Sequence, residues 1–315
     1  MPYLGRGAAV GMAKETTWGT TVARTHWFPL VDESMKMSVV KRPRRTLNHS
    51  TGSRNIRKHV IERIDAGGGL TLLATYEGFG LLLEQLLGAA PTVTGTNPYT
   101  HVYALAAVMP TGVTIEMVRG TGTGELFAGG KLSKGTFTIE VGKEMTFQTE
   151  TICKSSGGRI SAATPTLAAS RDLVVMFDQA GTVGFNGGTY TASKLKCIVD
   201  NKLARRNLLG DRYTKEPHPS AEQEIILEME LEWNDDVLVA AYTADTEADL
   251  AVTFTDSAAR TWTFALASAY LDDCSDPVNQ PGIIKQTVRF RAQVGATNEG
   301  IKITVVNTQA TGLLT

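Results

Sequence analysis

The chain has 315 residues, with 31 Lys and Arg against 32 Asp and Glu, so it is long enough for one large or two medium domains with sizeable cores. A formal net charge of -1 excludes a global attraction to nucleic acid or anionic membrane and leaves any such partner to a local patch. Its three cysteines, Cys153, Cys197 and Cys274, lack CxxC spacing and neighbouring His pairs, which argues against a disulfide framework or zinc site and for reduced, buried thiols.

The opening MPYLGRGAAVGMAKETTWG has no sustained apolar run, and the longest such run, GFGLLLEQLLGAA, is interrupted by Glu84. Neither a signal peptide nor a membrane span is expected, and the chain reads as soluble when made. SMKMSVVK alternates as a strand and leads into KRPRRTLNHSTGSRNIRKH, a stretch too rich in charge and turn formers to be core. It reads as an extended arm. VIERIDAGGGLTLLATY follows as a strand pattern with a glycine break, and then EGFGLLLEQLLGA predicts a helix whose stripe is Leu82, Leu83, Leu86 and Leu87, closed by Gly88. GVTIEMVRG, ELFAGGKLSKGTFTIEV and KEMTFQTETIC are alternating strands separated by glycine turns.

The same order returns from Ser193. SKLKCIVD predicts a strand, NKLARRNLLGDRYTKEPHPS a polar arm, EIILEMELEW a strand, and NDDVLVAAYTA a short helix capped by Asn234 or Asp235. AVTFTD, RTWTFALASAYLDDC and IIKQTVRFRAQV are the closing strands. Particular residues coincide between the copies: Arg44-Arg45-Thr46-Leu47 with Arg205-Arg206-Asn207-Leu208, Tyr76 with Trp233, Gly112-Val113-Thr114-Ile115 with Ala251-Val252-Thr253-Phe254, and Lys131-Leu132 with Tyr270-Leu271. Between them KSSGGRISAATPTLAASRD has the small-residue composition of a linker. The expected fold is mainly β with minor α: two tandem β-sandwich or barrel units, 1–164 and 165–315, each flanked by one short helix and carrying an arm, about 41–59 and about 203–219.

Catalytic signals are weak. RGTGTGELFAGGK is rich in glycine, but Gly130-Lys131-Leu132 continues into a strand where a Walker loop opens a helix, so a hairpin is expected. His26, His49, His59, His101 and His218 show no ligand spacing, and neither a G-x-S-x-G elbow nor an H-E-x-x-H pair exists. No enzyme activity, metal or cofactor is expected. Two charge anomalies remain. From Lys36 to Arg63 nine Lys and Arg residues stand against one acid, Glu62, without the interleaved aromatics that stack bases. In EIILEMELEW, Glu228, Glu230 and Glu232 share one face of a strand whose other face is Leu227, Met229, Leu231 and Trp233. A row of like charges repels itself unless something compensates it.

The opening MAKETTWGTTVARTHWFPLVDES, the basic strand-loop-strand, and YEGFGLLLEQLLGAA followed closely by NPYTHVYAL resemble the major tail tube protein family of long-tailed, siphovirus-type bacteriophages. The likeness covers residues 8–150 by motif and the remainder through the repeat. It implies a virion structural protein made in the host cytoplasm, a β-sandwich with a flanking helix whose copies form rings that stack into a hollow tail tube conducting the genome. The implied partners are further copies of the chain and other tail proteins (tape measure, terminator, baseplate), with DNA passing through without specific binding. The connecting arms would then contact neighbouring subunits or the next ring, through Lys41, Arg42, Arg44, Arg45, Arg54 and Arg57 in the first arm and Arg205, Arg206, Arg212 and Tyr213 in the second. Many relatives carry one unit where this chain carries two, so a ring that single units close six-fold would be closed by three chains. In a tube, carboxylates repel phosphate, so Glu228, Glu230 and Glu232 are expected to face the lumen, with Glu144 and Glu150 as first-half contributors. The competing expectation is cross-strand pairing with Arg289 and Arg291. Other tail or virion components (terminator, baseplate hub, decoration protein), or a nucleic-acid-binding β protein using Arg42–Arg63, are the alternative readings.

Overall fold

Period-two alternation dominates the chain, and it makes strands. The structure, a computed structural model, describes residues 7–43, 59–120, 122–167, 172–233, 236–275, 283–293 and 300–310. In the first half β1 (Ala8–Lys14), β2 (His26–Glu33), β3 (Lys36–Pro43) and β4 (His59–Leu73) precede helix α1 (Gly80–Leu87). They are followed by β5 (Thr92–Thr94), β6 (Tyr99–Ala104), β7 (Val113–Arg119), β8 (Thr123–Glu140), β9 (Thr146–Cys153) and β10 (Ser155–Ser161). The second half has β11 (Ala180–Phe185), β12 (Gly188–Tyr190), β13 (Ala192–Asp200), β14 (Leu203–Arg206), β15 (Lys215–Pro219) and β16 (Glu224–Glu232), then helix α2 (Val237–Thr243). It closes with β17 (Ala248–Thr255), β18 (Thr261–Ser275), β19 (Lys285–Ala292) and β20 (Lys302–Asn307). The fold is mainly β, with two helices among the described residues.

All ladders are antiparallel. In the first half, β1, β7, β8, β9, β4 and β2 pair in that order and β2 returns to β1, closing a six-stranded barrel. In the second half β11 pairs with β12 and β17, β17 with β18, β18 with β19, β19 with β16, and β16 with β13. Two further ladders join the halves, β8 with β13 and β20 with β6. A continuous sheet of eight strands results, in the order β3-β4-β9-β8-β13-β16-β19-β18.

One face of this sheet supplies the core. Phe79, Phe137, Phe147, Trp262 and Phe264 come from both halves and touch one another, with Phe137 5.9 Å from Trp262 and 5.3 Å from Phe264 between ring centroids. One buried apolar cluster therefore runs across the expected boundary near residue 165. Helix α1 packs on β8 and β6, and α2 on β18. The αL conformation of Gly88, φ 102°, ends α1 with its N–H bonded to the carbonyl of Glu84, as the glycine predicted. Helix α2 departs from expectation: its N-cap is Asp236, whose side chain makes no capping bond, while Asn234 and Asp235 lie outside the described residues.

Two readings of glycine and small residues are corrected. The triple glycine in β4 does not break the strand, because β9 pairs through it from Ala66 to Leu73. A Cβ on Gly67, at φ 135°, would sit 2.2 Å from the Thr151 carbonyl oxygen, so the glycines serve close approach between strands. The expected linker is in part a strand: β10 pairs with the first third of β8.

Candidate assembly surfaces

The second face of the eight-stranded sheet follows from the same alternation. Residues between the buried rungs are Thr136, Thr138 and Glu140 on β8, Lys194 and Lys196 on β13, Glu228, Glu230 and Glu232 on β16, and Thr287, Arg289 and Arg291 on β19. The face is polar, with opposite charges set side by side. Lys196 Nζ lies 2.9 Å from Glu228, and Arg289 Nε lies 3.9 Å from the same carboxylate. Glu230 accepts hydrogen bonds from Lys285 and from Ser193 Oγ, and Arg291 donates to Glu224 at 2.7 Å and to Asp272 at 3.1 Å. Lys202 joins Asp200 to Glu224.

Each shift in acidity follows from these contacts. The Lys285 hydrogen bond holds Glu230 below the ordinary carboxylate value, and Lys202 does the same for Glu224. Lys143 and then Lys194 pull Glu140 down to about 2. Of the expected acidic row, Glu228 and Glu230 are thus compensated within the chain, with Arg289 on Glu228 and Arg291 on the neighbouring Glu224. Glu232 is exposed at the end of β16. Glu150 is exposed on β9 opposite Lys134, and Glu144 lies in the β8–β9 turn beside Met176.

The sheet has two open edges. Among the described residues β3 is laddered only to β4, and β18 beyond Ala269 only to β19. Exposed edges of this kind carry unpaired backbone donors and acceptors and invite another strand. Met37, on the open β3 edge, is 42% exposed.

The second arm is the β14–β15 hairpin, and it lies on the first half of its own chain. Arg205 Nη2 donates to the Ala66 carbonyl at 2.6 Å, Ile64 N–H donates to the Arg212 carbonyl at 2.8 Å, and Lys131 meets Glu216 at 2.5 Å. Tyr213 bridges to Ile64. Arg206 and Arg212 are exposed, and so are Lys41 and Arg42 at the end of β3. Arg44, Arg45, Arg54 and Arg57 lie outside the described residues. Asn201, at the root of the second arm, was not singled out from sequence. It is buried and donates from Nδ2 to the carbonyls of Leu86 and Leu132, and no local pattern separates such an asparagine from a turn former.

At the opposite end of β13 a cavity of about 290 Å³ opens, lined by Ile139, Val141, Phe177, Val183, Leu195 and Phe254 among others. Among the described residues no group of three or more His, Cys, Asp or Glu side chains is arranged to hold a metal ion. Cys153 and Cys197 are free and buried, and burial pushes both thiols up to about 12. Among the described residues no helix is long and apolar enough to cross a membrane.

A two-faced sheet with open edges and a hairpin arm laid over it is the surface of a β-sheet assembly subunit. Residues 5–292 match the family model described as phage tail tube protein, and the chain belongs to that family. No curated protein matches it. Membership makes the chain a structural component of the virion tail, one that assembles into the tube with its own copies, in a family of structural proteins and not of enzymes.

Proposed function

We propose that the chain is a duplicated tube subunit, and that three copies close a ring by repeating between chains the ladder that joins its own halves. The observation that carries this is the β8–β13 ladder, with Lys134 opposite Asp200, Gly135 opposite Val199 and Thr136 opposite Ile198.

Correspondence between the halves is supported rung by rung. The bulge at Leu30/Asp32 in the β2–β4 ladder has its counterpart at Ala192/Lys194 in β13–β16. The bulge at Val113/Ile115 in β7–β8 matches that at Ala248/Leu250 in β17–β18, and the one at Leu132/Lys134 in β8–β9 matches that at Leu271/Asp273 in β18–β19. Bulges break register, so agreement at three of them is a stringent match. Under this correspondence Lys131-Leu132 falls on Tyr270-Leu271, as the sequences suggested, whereas Val113 falls on Ala248 and not on Val252.

Under the same correspondence Val199 becomes Met37 and Gly135 becomes Cys274. The ladder between chains therefore sets Ser38 opposite Asp273, Met37 opposite Cys274 and Lys36 opposite Ser275, joining the two open edges. Such a heterologous contact closes a ring. Rings stack into the tube, and the polar face of the sheet lines the channel. Its charges are paired at contact distance, so the wall presents little net field to passing phosphate beyond a Debye length of about 8 Å.

The test uses Met37→Cys. Opposed cysteines on antiparallel strands come within the roughly 4.4–6.8 Å Cα separation that a disulfide needs. Oxidised assemblies should run as dimers and trimers on a non-reducing gel, with nothing larger than three linked chains, and the bands should vanish in Met37→Cys/Cys274→Ser. Assemblies without the link, or covalent ladders beyond three, reject the ring as described.

A further inference from the structure

At the tip of the second arm two apolar side chains stand in solvent. Leu208 is 52% and Leu209 105% exposed, in the connection between β14 and β15. Nothing else in that hairpin covers them, and water around two adjacent leucines is a standing cost that a partner removes. The apolar cavity described above lies at the other end of the same strand. Leu195 and Lys194, at the start of β13, line it, whereas Asp200, at the end of β13, leads into the arm.

The ladders confirm this placement on the sheet. Glu140 opposes Lys194 at the cavity end, and Lys134 opposes Asp200 at the arm end. Beyond the arm end, Tyr213 runs parallel to Ile64, toward which β4 enters from residues 59–63. The arm tip and the cavity therefore occupy opposite ends of one subunit, and a shift along the strand direction brings one onto the other.

We propose that Leu208 and Leu209 of one chain seat in this cavity on a second copy in the adjoining ring, which makes the arm a polar, head-to-tail stacking contact. The proposal rests on the reading of the chain as a ring-forming tube subunit. Lys194 on the cavity rim is neutralised by Glu140 at 2.6 Å, which leaves Asp178 as the rim charge for the arm to meet. Arg206 and Arg212 flank the leucines and are exposed, while exposed Asp178 lies on the cavity rim beside Phe177. The contact joins unlike surfaces, so it does not close on itself and extends without limit along one axis.

Two measurements test it. First, Leu209→Cys and Phe177→Cys are made as separate chains, mixed, assembled and oxidised. A covalent pair should form only in tubes that contain both variants, with each variant alone as the control for native Cys274. Second, Leu208→Ser/Leu209→Ser should leave rings intact in electron micrographs and raise the concentration needed for tubes on the order of a hundredfold. Tubes that form without the cross-link, or that form from the serine variant at the parent concentration, overturn the stacking contact alone. A parent chain that forms no rings removes the ring reading, and this proposal falls with it.

Discussion

Lys194 Nζ lies 2.6 Å from Glu140 across the β8–β13 ladder, so the strand pair that joins the two halves of the chain ends in an ion pair. Glu140 also takes a hydrogen bond from Lys143 at 2.7 Å, and both bonds favour its ionised form. Glu140, Glu224 and Glu230 all release their protons more readily in the folded chain than at the ordinary value of 4.5. Their stabilisation is therefore complete above that value and is lost as pH falls through the folded values, about 2 for Glu140. Lys194 and Lys202 behave inversely, since their raised values give stability that is present below 10.5 and lost at higher pH. Melting temperature should fall on acidification across the carboxylate window. Because these groups are near solvent, added salt should flatten the fall. An acid limb of the same steepness in Glu140→Gln/Glu230→Gln would mean that the pairs are not its origin.

Asn201 is the polar hinge between β13 and the second arm. Its backbone N–H bonds to the Ser133 carbonyl at 2.8 Å, its Nδ2 serves two carbonyls, and its Oδ1 accepts from Gln223 at 2.6 Å. Asn201→Ala strands the buried carbonyls of Leu86 and Leu132 and leaves the exposed Gln223 amide to water, and should cost about 2–4 kcal/mol in chemical denaturation. Ser220→Ala, which removes an exposed bond to the Lys202 carbonyl, should stay within about 0.5 kcal/mol. Equal effects at the two sites would refute the burial argument.

The aromatic cluster makes the halves one cooperative unit. Phe137 from the first half packs on Trp262 and Phe264 from the second, and all three are inaccessible to solvent. Phe137→Ala should lower stability by about 3–5 kcal/mol. Calorimetry should show one transition in both parent and variant, and two separated transitions would show that each half keeps its own core.

How much was legible in the sequence depended on the range of the interaction. Alternation placed β9, β13 and β16, because a half-buried strand writes its pattern locally, and it also placed β7, whose alternate Thr114 and Glu116 are nonetheless buried. The stripe at Leu82, Leu83, Leu86 and Leu87 and the stop at Gly88 placed α1 for the same reason. The partner of each edge is not local, however. Nothing in SKLKCIVD says that it pairs with β8 on one side and β16 on the other, and so the eight-stranded sheet and the core that both halves share could not be read. The acidic row shows the limit in part: shared parity named Arg289 and Arg291 as possible partners of EIILEMELE, but Lys196 from β13 and Lys285 from β19 were not foreseen. The exposed Leu208-Leu209 pair escaped in the same way, inside a stretch read only as a polar arm.

That compensated face leads to the last prediction. Lys196, Lys285 and Arg289 are held against Glu228 and Glu230, and a cation paired at contact distance has little left to offer a phosphate. Glu228→Gln/Glu230→Gln keeps shape and hydrogen-bonding capacity while removing two negative charges, which frees Lys196 and Lys285 on a face proposed to line the channel and leaves Arg289 with Asp272 at 3.5 Å. The parent assembly should not retain duplex DNA at physiological salt. The double variant should retain it, with an affinity that falls as salt rises, at a logarithmic slope of about -2 as two phosphates are neutralised. Fluorescence anisotropy of a labelled duplex across a salt series measures both quantities. If the variant binds no better than the parent, the cations do not face passing DNA, and the channel wall must be sought on another surface of the subunit.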